Sequence, residues 1–137
     1  MTMEGELVIL LAEDNRADVY LVRSSLKKHG IAHRLIVVED GEDAIRLIEG
    51  VDSGILAVGL ILLDLNLPKR SGREILQRLR DSHSGTDIPV IVITSSDSQT
   101  DRVEMTSLGA QAYFRKPSRL EEFLQLGELV KQVVARH

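Results

Sequence analysis

The chain has 137 residues, with 17 Lys+Arg against 21 Asp+Glu for a net charge of -4, and no cysteine. At that length one domain, 1–137, is expected, large enough to bury roughly 70% of its unfolded-chain surface. The acidic balance, without a basic run or an RNA-type aromatic motif, disfavours direct nucleic-acid binding, and the lack of cysteine excludes a disulfide framework or a cysteine zinc site.

The first segment, "MTMEGELVILLAED", carries acids where a signal peptide has a basic n-region. No apolar stretch approaches the ~20 residues of a membrane span. A cytoplasmic protein with no membrane association is expected. Within that segment "LVILLA" (7–12) reads as a strand, and "EDNRADVY" after it has the composition of a helix start. Val19, Val22 and Leu26 follow at helical spacing, and Gly30 closes the helix. The strand "RLIVV" (34–38) leads to a second helix opened by Asp40 and Asp43, carried by Ala44, Leu47 and Ile48, and closed at Gly50. "GVDSGILAVG" (50–59) reads as a connecting loop before the strand "GLILL" (59–63). Ile75, Leu76 and Leu79 mark a third helix, and "DSHSGTDIP" (81–89) a second loop. The strand "PVIVITS" (89–95), a helix with Val103 and Leu108, and the brief strand "AYF" (112–114) come next. Leu120, Phe123, Leu124, Val130 and Val134 then space out a last helix from about Ser118 to Arg136, their apolar side expected on the sheet. Leu126, Leu129 and Val133 fall partly round that helix and widen its apolar arc.

Strands alternate strictly with helices, and each strand is apolar throughout rather than at every second residue. That pattern belongs to a parallel sheet covered on both faces, a doubly wound α/β fold. In such sheets the ligand site lies outside the carboxyl ends of the strands, where the winding reverses. The residues at those ends are therefore the candidates. Strand 1 ends in Glu13-Asp14, strand 3 in Asp64, strand 4 in Thr94-Ser95-Ser96, and strand 5 is followed by Lys116-Pro117.

If strands 1 and 3 are neighbours, Glu13, Asp14 and Asp64 share one crevice. Three carboxylates that close raise one another's pKa values unless a cation sits among them. Mg2+ suits the need, since it takes oxygen ligands, retains water and commonly uses one or two carboxylates plus phosphate oxygens. An Asp carboxylate can also attack phosphorus to form an acyl phosphate, which makes Asp64 the candidate nucleophile. The Lys116 ammonium and the Thr94 hydroxyl would meet the charge on the transferring group. Taken singly, Asp14 could be a helix N-cap, Lys116 a solvated surface residue and Thr94 an ordinary strand end. Their convergence on one edge of one sheet is what points to a site. The buried strand fixes Asp64 at the crevice, and Pro68 and Gly72 turn the chain away.

With the acidic pair after strand 1, Asp64 followed by Pro68 and Gly72, Thr94 after strand 4 and "YFRKP" around strand 5, nearly the whole chain resembles the response-regulator receiver family of two-component signalling. The resemblance implies the flavodoxin-like receiver fold, a five-stranded parallel sheet in the order 2-1-3-4-5 with five helices. In that family the residue matching Asp64 accepts a phosphoryl group from a histidine kinase. Those matching Asp14 and Asp64, with the backbone carbonyl at the Asn66 position, bind Mg2+, and the one matching Glu13 acts through a water. The hydroxyl at the Thr94 position and the aromatic at the Tyr113 position form a switch pair, and the Lys116-Pro117 bond is expected to be cis. One departure is Ser95, where many members carry alanine.

"DLNLPKRSGREIL", "ITSSD" and "RKPSRLEEF" are similar to the single-domain regulators that work with phytochrome-type light-sensing kinases. A signalling phosphoacceptor rather than an enzyme is therefore expected. Its output surface would be helix 4, strand 5 and helix 5, turned toward an unknown downstream protein or a homodimer. The alternative is a Mg-dependent phosphohydrolase with an aspartate nucleophile. Such haloacid-dehalogenase-like enzymes carry a second Asp two residues on as acid/base, where this chain has Asn66, which cannot exchange protons in that role. A flavin-binding module on the same sheet order is disfavoured because the acids of "AEDNRAD" would repel a phosphate lacking a metal.

Overall fold

The computed structural model describes residues 5–82 and 87–136. The elements run β1 (Leu7–Ala12), α1 (Arg16–Lys28), β2 (His33–Val38), α2 (Gly41–Asp52), β3 (Leu60–Leu63), α3 (Gly72–Arg80), β4 (Val90–Thr94), α4 (Gln99–Ser107), β5 (Ala112–Arg115), α5 (Leu120–Phe123) and α6 (Leu126–Arg136). All strand pairings are parallel, and the sheet order is β2-β1-β3-β4-β5. The last helix of the five comes in two segments, α5 and α6. The chain therefore has the doubly wound fold its alternation predicts, in the flavodoxin-like receiver order that the resemblance implies.

Alternate residues of each strand point to opposite faces of the sheet, and here both faces are covered. Leu10, Ala12, Ile61, Leu63, Val90 and Val92 pack with Ala44, Ile48, Leu76, Leu79 and Met105 of α2, α3 and α4. Ile9, Leu11, Leu60, Leu62, Ile91 and Ile93 pack with Val22, Leu26, Phe123, Leu126 and Val130 of α1, α5 and α6. This is why the three central strands read as unbroken apolar runs. Among the described residues no helix is long and apolar enough to cross a membrane.

Helix ends follow local chemistry. The side chains of Asn15, Asp40, Ser71 and Ser98 accept from the backbone N–H three residues on, opening α1, α2, α3 and α4. α2 does not close at Gly50 but runs to Asp52 with Ser53 at its C-cap. The loop expected at 81–89 falls partly on residues outside those described. At the far end of α3 the Arg80 guanidinium donates to the carbonyls of Leu108 and Gly109 at 3.0 and 2.8 Å, gripping the residues that end α4.

The continuous helix expected over 118–136 is broken at Leu124-Gln125. Buried Ser25 of α1 donates its hydroxyl to the Leu124 carbonyl at 2.7 Å and accepts the Gly127 N–H at 2.8 Å. His29 donates from Nε2 to the same carbonyl at 2.9 Å. The Leu124 carbonyl is thus taken by side chains, and the Glu128 N–H turns to Gln125 at 3.0 Å. A Cβ on Gly127 would stand 2.7 Å from the Ser25 carbonyl oxygen and against the His29 ring, so this approach of α1 needs glycine. The break also re-phases the apolar face. Leu126 and Val133 are buried and Leu129 packs against the same core, whereas Leu120 and Val134 face outward, the reverse of their expected roles.

Candidate functional site

The carboxyl edge of the sheet brings the predicted residues together through backbone pairing that continues past the strand ends. The Asp64 N–H donates to the Ala12 carbonyl at 3.0 Å, which sets the end of β3 beside the end of β1. The Lys116 N–H donates to the Thr94 carbonyl at 2.7 Å, which brings the chain after β5 back to the end of β4. Gly72 keeps the turn tight, since a Cβ there would stand 2.8 Å from the Asp64 carbonyl oxygen.

Glu13 is 2% exposed, and one of its carboxylate oxygens accepts the Asn15 N–H at 3.1 Å. Because Asn15 rather than Asp14 caps α1, the exposed Asp14 carboxylate stays free of the helix terminus. Glu13, Asp14 and Asp64 each offer a carboxylate oxygen, all within 4.8 Å of one another. A hard divalent cation fits this donor set, which is all oxygen, anionic and open on the Asp14 side. Asn66 is exposed next to it, and its N–H donates to Asp64 Oδ1 at 3.1 Å.

Lys116 Nζ lies 2.6 Å from Glu13 Oε1, 2.8 Å from Asp18 Oδ2 and 3.0 Å from Asp64 Oδ2. Burial would lower the pKa of this ammonium, but the hydrogen bonds to Asp18 and Glu13 and the Asp64 charge outweigh it and raise it, so Lys116 stays cationic. Burial pushes the Glu13 carboxyl up to about 7; the hydrogen bond from Lys116 opposes that shift and the Asp64 charge adds to it. The crevice thus holds one cation among four acids, an excess of negative charge that favours a metal ion.

Thr94 is fully buried and its hydroxyl accepts the Ser96 N–H at 3.2 Å. Tyr113 is half-buried, donates its hydroxyl to the Ser96 carbonyl at 3.1 Å, and carries the Arg102 guanidinium 4.4 Å above its ring. The Ser96 hydroxyl in turn donates to Asp101 of α4 at 2.7 Å. The expected cis bond at Lys116-Pro117 is not found. No described peptide is cis, in keeping with the ~0.5–1 kcal/mol by which X-Pro bonds favour trans.

Asp18 is the site neighbour that the strand-end reading does not name, while Ser96 is named there at the end of β4 but given no role. Asp18 belongs to the first turn of α1 rather than to a strand end, and its signal is the third acid of "EDNRAD". Ser96 stands in "TSSDS" among similar residues, and only the tertiary contact with Tyr113 marks it.

This fold and the acid, hydroxyl and lysine positions at one sheet edge define a receiver. The family model of the response regulator receiver domain matches residues 9–127, and the chain belongs to that family. It is similar to response regulator Rcp1 of Synechocystis sp., 37% identical over 121 residues that cover 87% of this chain and 82% of that protein. Among solved structures it is similar to the phosphorylated cyanobacterial phytochrome response regulator RcpA, with a TM-score of 0.86, 29% identity and 96% of each chain covered. The Mn2+-bound form of Rcp1 aligns with a TM-score of 0.82 and 34% identity over 92% of each chain.

Proposed function

We propose that the described residues work as one receiver unit that takes a phosphoryl group from a histidine kinase onto Asp64 in a Mg2+-dependent reaction. The observation that carries this reading is Lys116 Nζ 3.0 Å from Asp64 Oδ2, at the edge where Glu13, Asp14 and Asp64 gather. Glu13, Asp14, Asp64 and the Asn66 carbonyl would hold the ion, with Glu13 acting through a water. When bound, Mg2+ would offset the negative charge of the crevice and of the incoming phosphoryl oxygens. An Asp64 carboxylate oxygen attacks phosphorus. The new P–O bond forms as the P–N bond to the kinase imidazole breaks, and that nitrogen keeps the electron pair and takes a proton.

Lys116 can then pass its Asp64 hydrogen bond to a phosphoryl oxygen, and Thr94 can turn its hydroxyl from Ser96 toward the same group. That turn releases the Ser96 N–H, whose residue also holds Tyr113 and Asp101. The message therefore leaves through α4, β5 and α5, where Val103 and Leu120 are 57% and 56% exposed. We assign this face to a downstream protein or to a two-fold homodimer. The similarity to RcpA, a phytochrome response regulator, supports a phytochrome-type histidine kinase as donor, and we assign the unit to the cytoplasm. The unit acts as a signalling acceptor, not a turnover enzyme.

Incubation with acetyl phosphate and Mg2+ should add one phosphoryl group by intact mass. EDTA, or Asp64→Asn, should abolish the addition. Undiminished labelling of the Asp64→Asn protein would refute the assignment, and transfer from a phytochrome-type kinase in the same assay tests the light-signalling part.

A further inference from the structure

We propose that Asp18 is the positioning residue of Lys116, the counter-ion that keeps the ammonium at the crevice wall while Glu13 and Asp64 turn to the metal ion and the phosphoryl group. The inference rests on the phosphoacceptor reading and adds to it a residue outside the metal-binding trio. A lysine ammonium has three N–H donors and no acceptor. In this crevice all three are engaged, by Glu13, Asp18 and Asp64 at 2.6, 2.8 and 3.0 Å. Two of those partners belong to the carboxylates that can close on a cation, and Asp18 does not. A divalent ion arriving at Glu13 and Asp64 competes with Lys116 for both, so two of the three bonds that hold the ammonium weaken together.

Asp18 is built for the third. Its backbone N–H is fixed by the Asn15 side chain at 3.0 Å in the first turn of α1, and its side chain is 20% exposed against a lysine side chain that is 10% exposed. Both partners are therefore ordered before the ion arrives. With Asp18 present, Lys116 can release the shared carboxylates and remain within reach of Asp64 to receive a phosphoryl oxygen. With Asp18 neutral, the ammonium has only the shared carboxylates as partners and stays on them, and the metal ion must displace it.

Asp18→Asn is isosteric and keeps the backbone N–H that Asn15 caps, so it isolates the charge. Amide shifts of 15N-labelled protein would be followed through Mg2+ titration and then through beryllofluoride titration, for the wild type, Asp18→Asn, Asp18→Glu, Lys116→Gln and the Asp18→Asn/Lys116→Gln double variant. We expect Asp18→Asn to weaken both half-saturation points by about tenfold, on the scale of one partly screened charge-assisted hydrogen bond. Asp18→Glu should restore part of the loss. In the Lys116→Gln background the same substitution should add nothing, because a residue that acts through Lys116 has nothing left to position. A direct field effect of Asp18, or a purely structural role in α1, would persist in that background and overturn the inference, as would an unshifted Asp18→Asn protein. A wild type that shows no Mg2+-dependent saturation would instead refute the phosphoacceptor reading, and the inference with it.

Discussion

Burial raises the Glu13 carboxyl from 4.5 to about 7, Lys116 opposing the shift and Asp64 adding to it, and this has a consequence for the metal-free protein. The folded chain keeps that proton to higher pH than the unfolded chain does. The stability it contributes is fully present below 4.5 and is lost as pH rises to about 7. Urea unfolding in EDTA should therefore give a stability that falls by roughly 1–3 kcal/mol from about pH 4.5 to 7.5, and Glu13→Gln should remove that part of the slope. Saturating Mg2+ should flatten it too, since the ion favours the carboxylate. The identities of these acids are plain in the sequence, because each ends a strand and strand ends converge in a parallel sheet. Asp18 escapes that logic. Its relation to Lys116 exists only once α1 and the chain after β5 are packed side by side.

At the scale of elements the strands are readable because each central one is apolar on both faces, and the start of α2 is readable because Asp40 caps it locally, whereas α1 opens one residue later than Asp14, at Asn15. The break between α5 and α6 is not local. It is imposed from α1 by Ser25 and His29, which take the Leu124 carbonyl, and no spacing within 118–136 announces it. Ser25→Ala should leave the buried Gly127 N–H without its acceptor and cost about 1–3 kcal/mol in urea unfolding. Gly127→Ala should cost about the same or more, because the added methyl meets the Ser25 carbonyl and the His29 ring. If both variants unfold with the wild type, the clasp between α1 and the break contributes nothing.

For the whole molecule, the proposed dimer face now rests on Val103 and Leu120, since Leu126, Leu129 and Val133 belong to the core. Light scattering across a concentration series should show a dimer that Val103→Glu with Leu120→Glu disperses without loss of urea stability; a strict monomer would leave the face to another partner. The two ends of α4 are held differently. At its start the Ser96 hydroxyl bonds Asp101, within reach of the Thr94 hydroxyl, while past its end Arg80 grips the carbonyls of Leu108 and Gly109. The nine residues between make a rod of roughly 13 Å at 1.5 Å per residue. A rod anchored at one end and nudged at the other swings instead of sliding. On the proposed Thr94 switch its travel would be largest at Gln99 and Thr100 and fade toward Ser107, so a protein reading that switch would gain most by gripping the first turn of α4, with Arg80 as the fulcrum that makes one hydroxyl's rotation visible from outside.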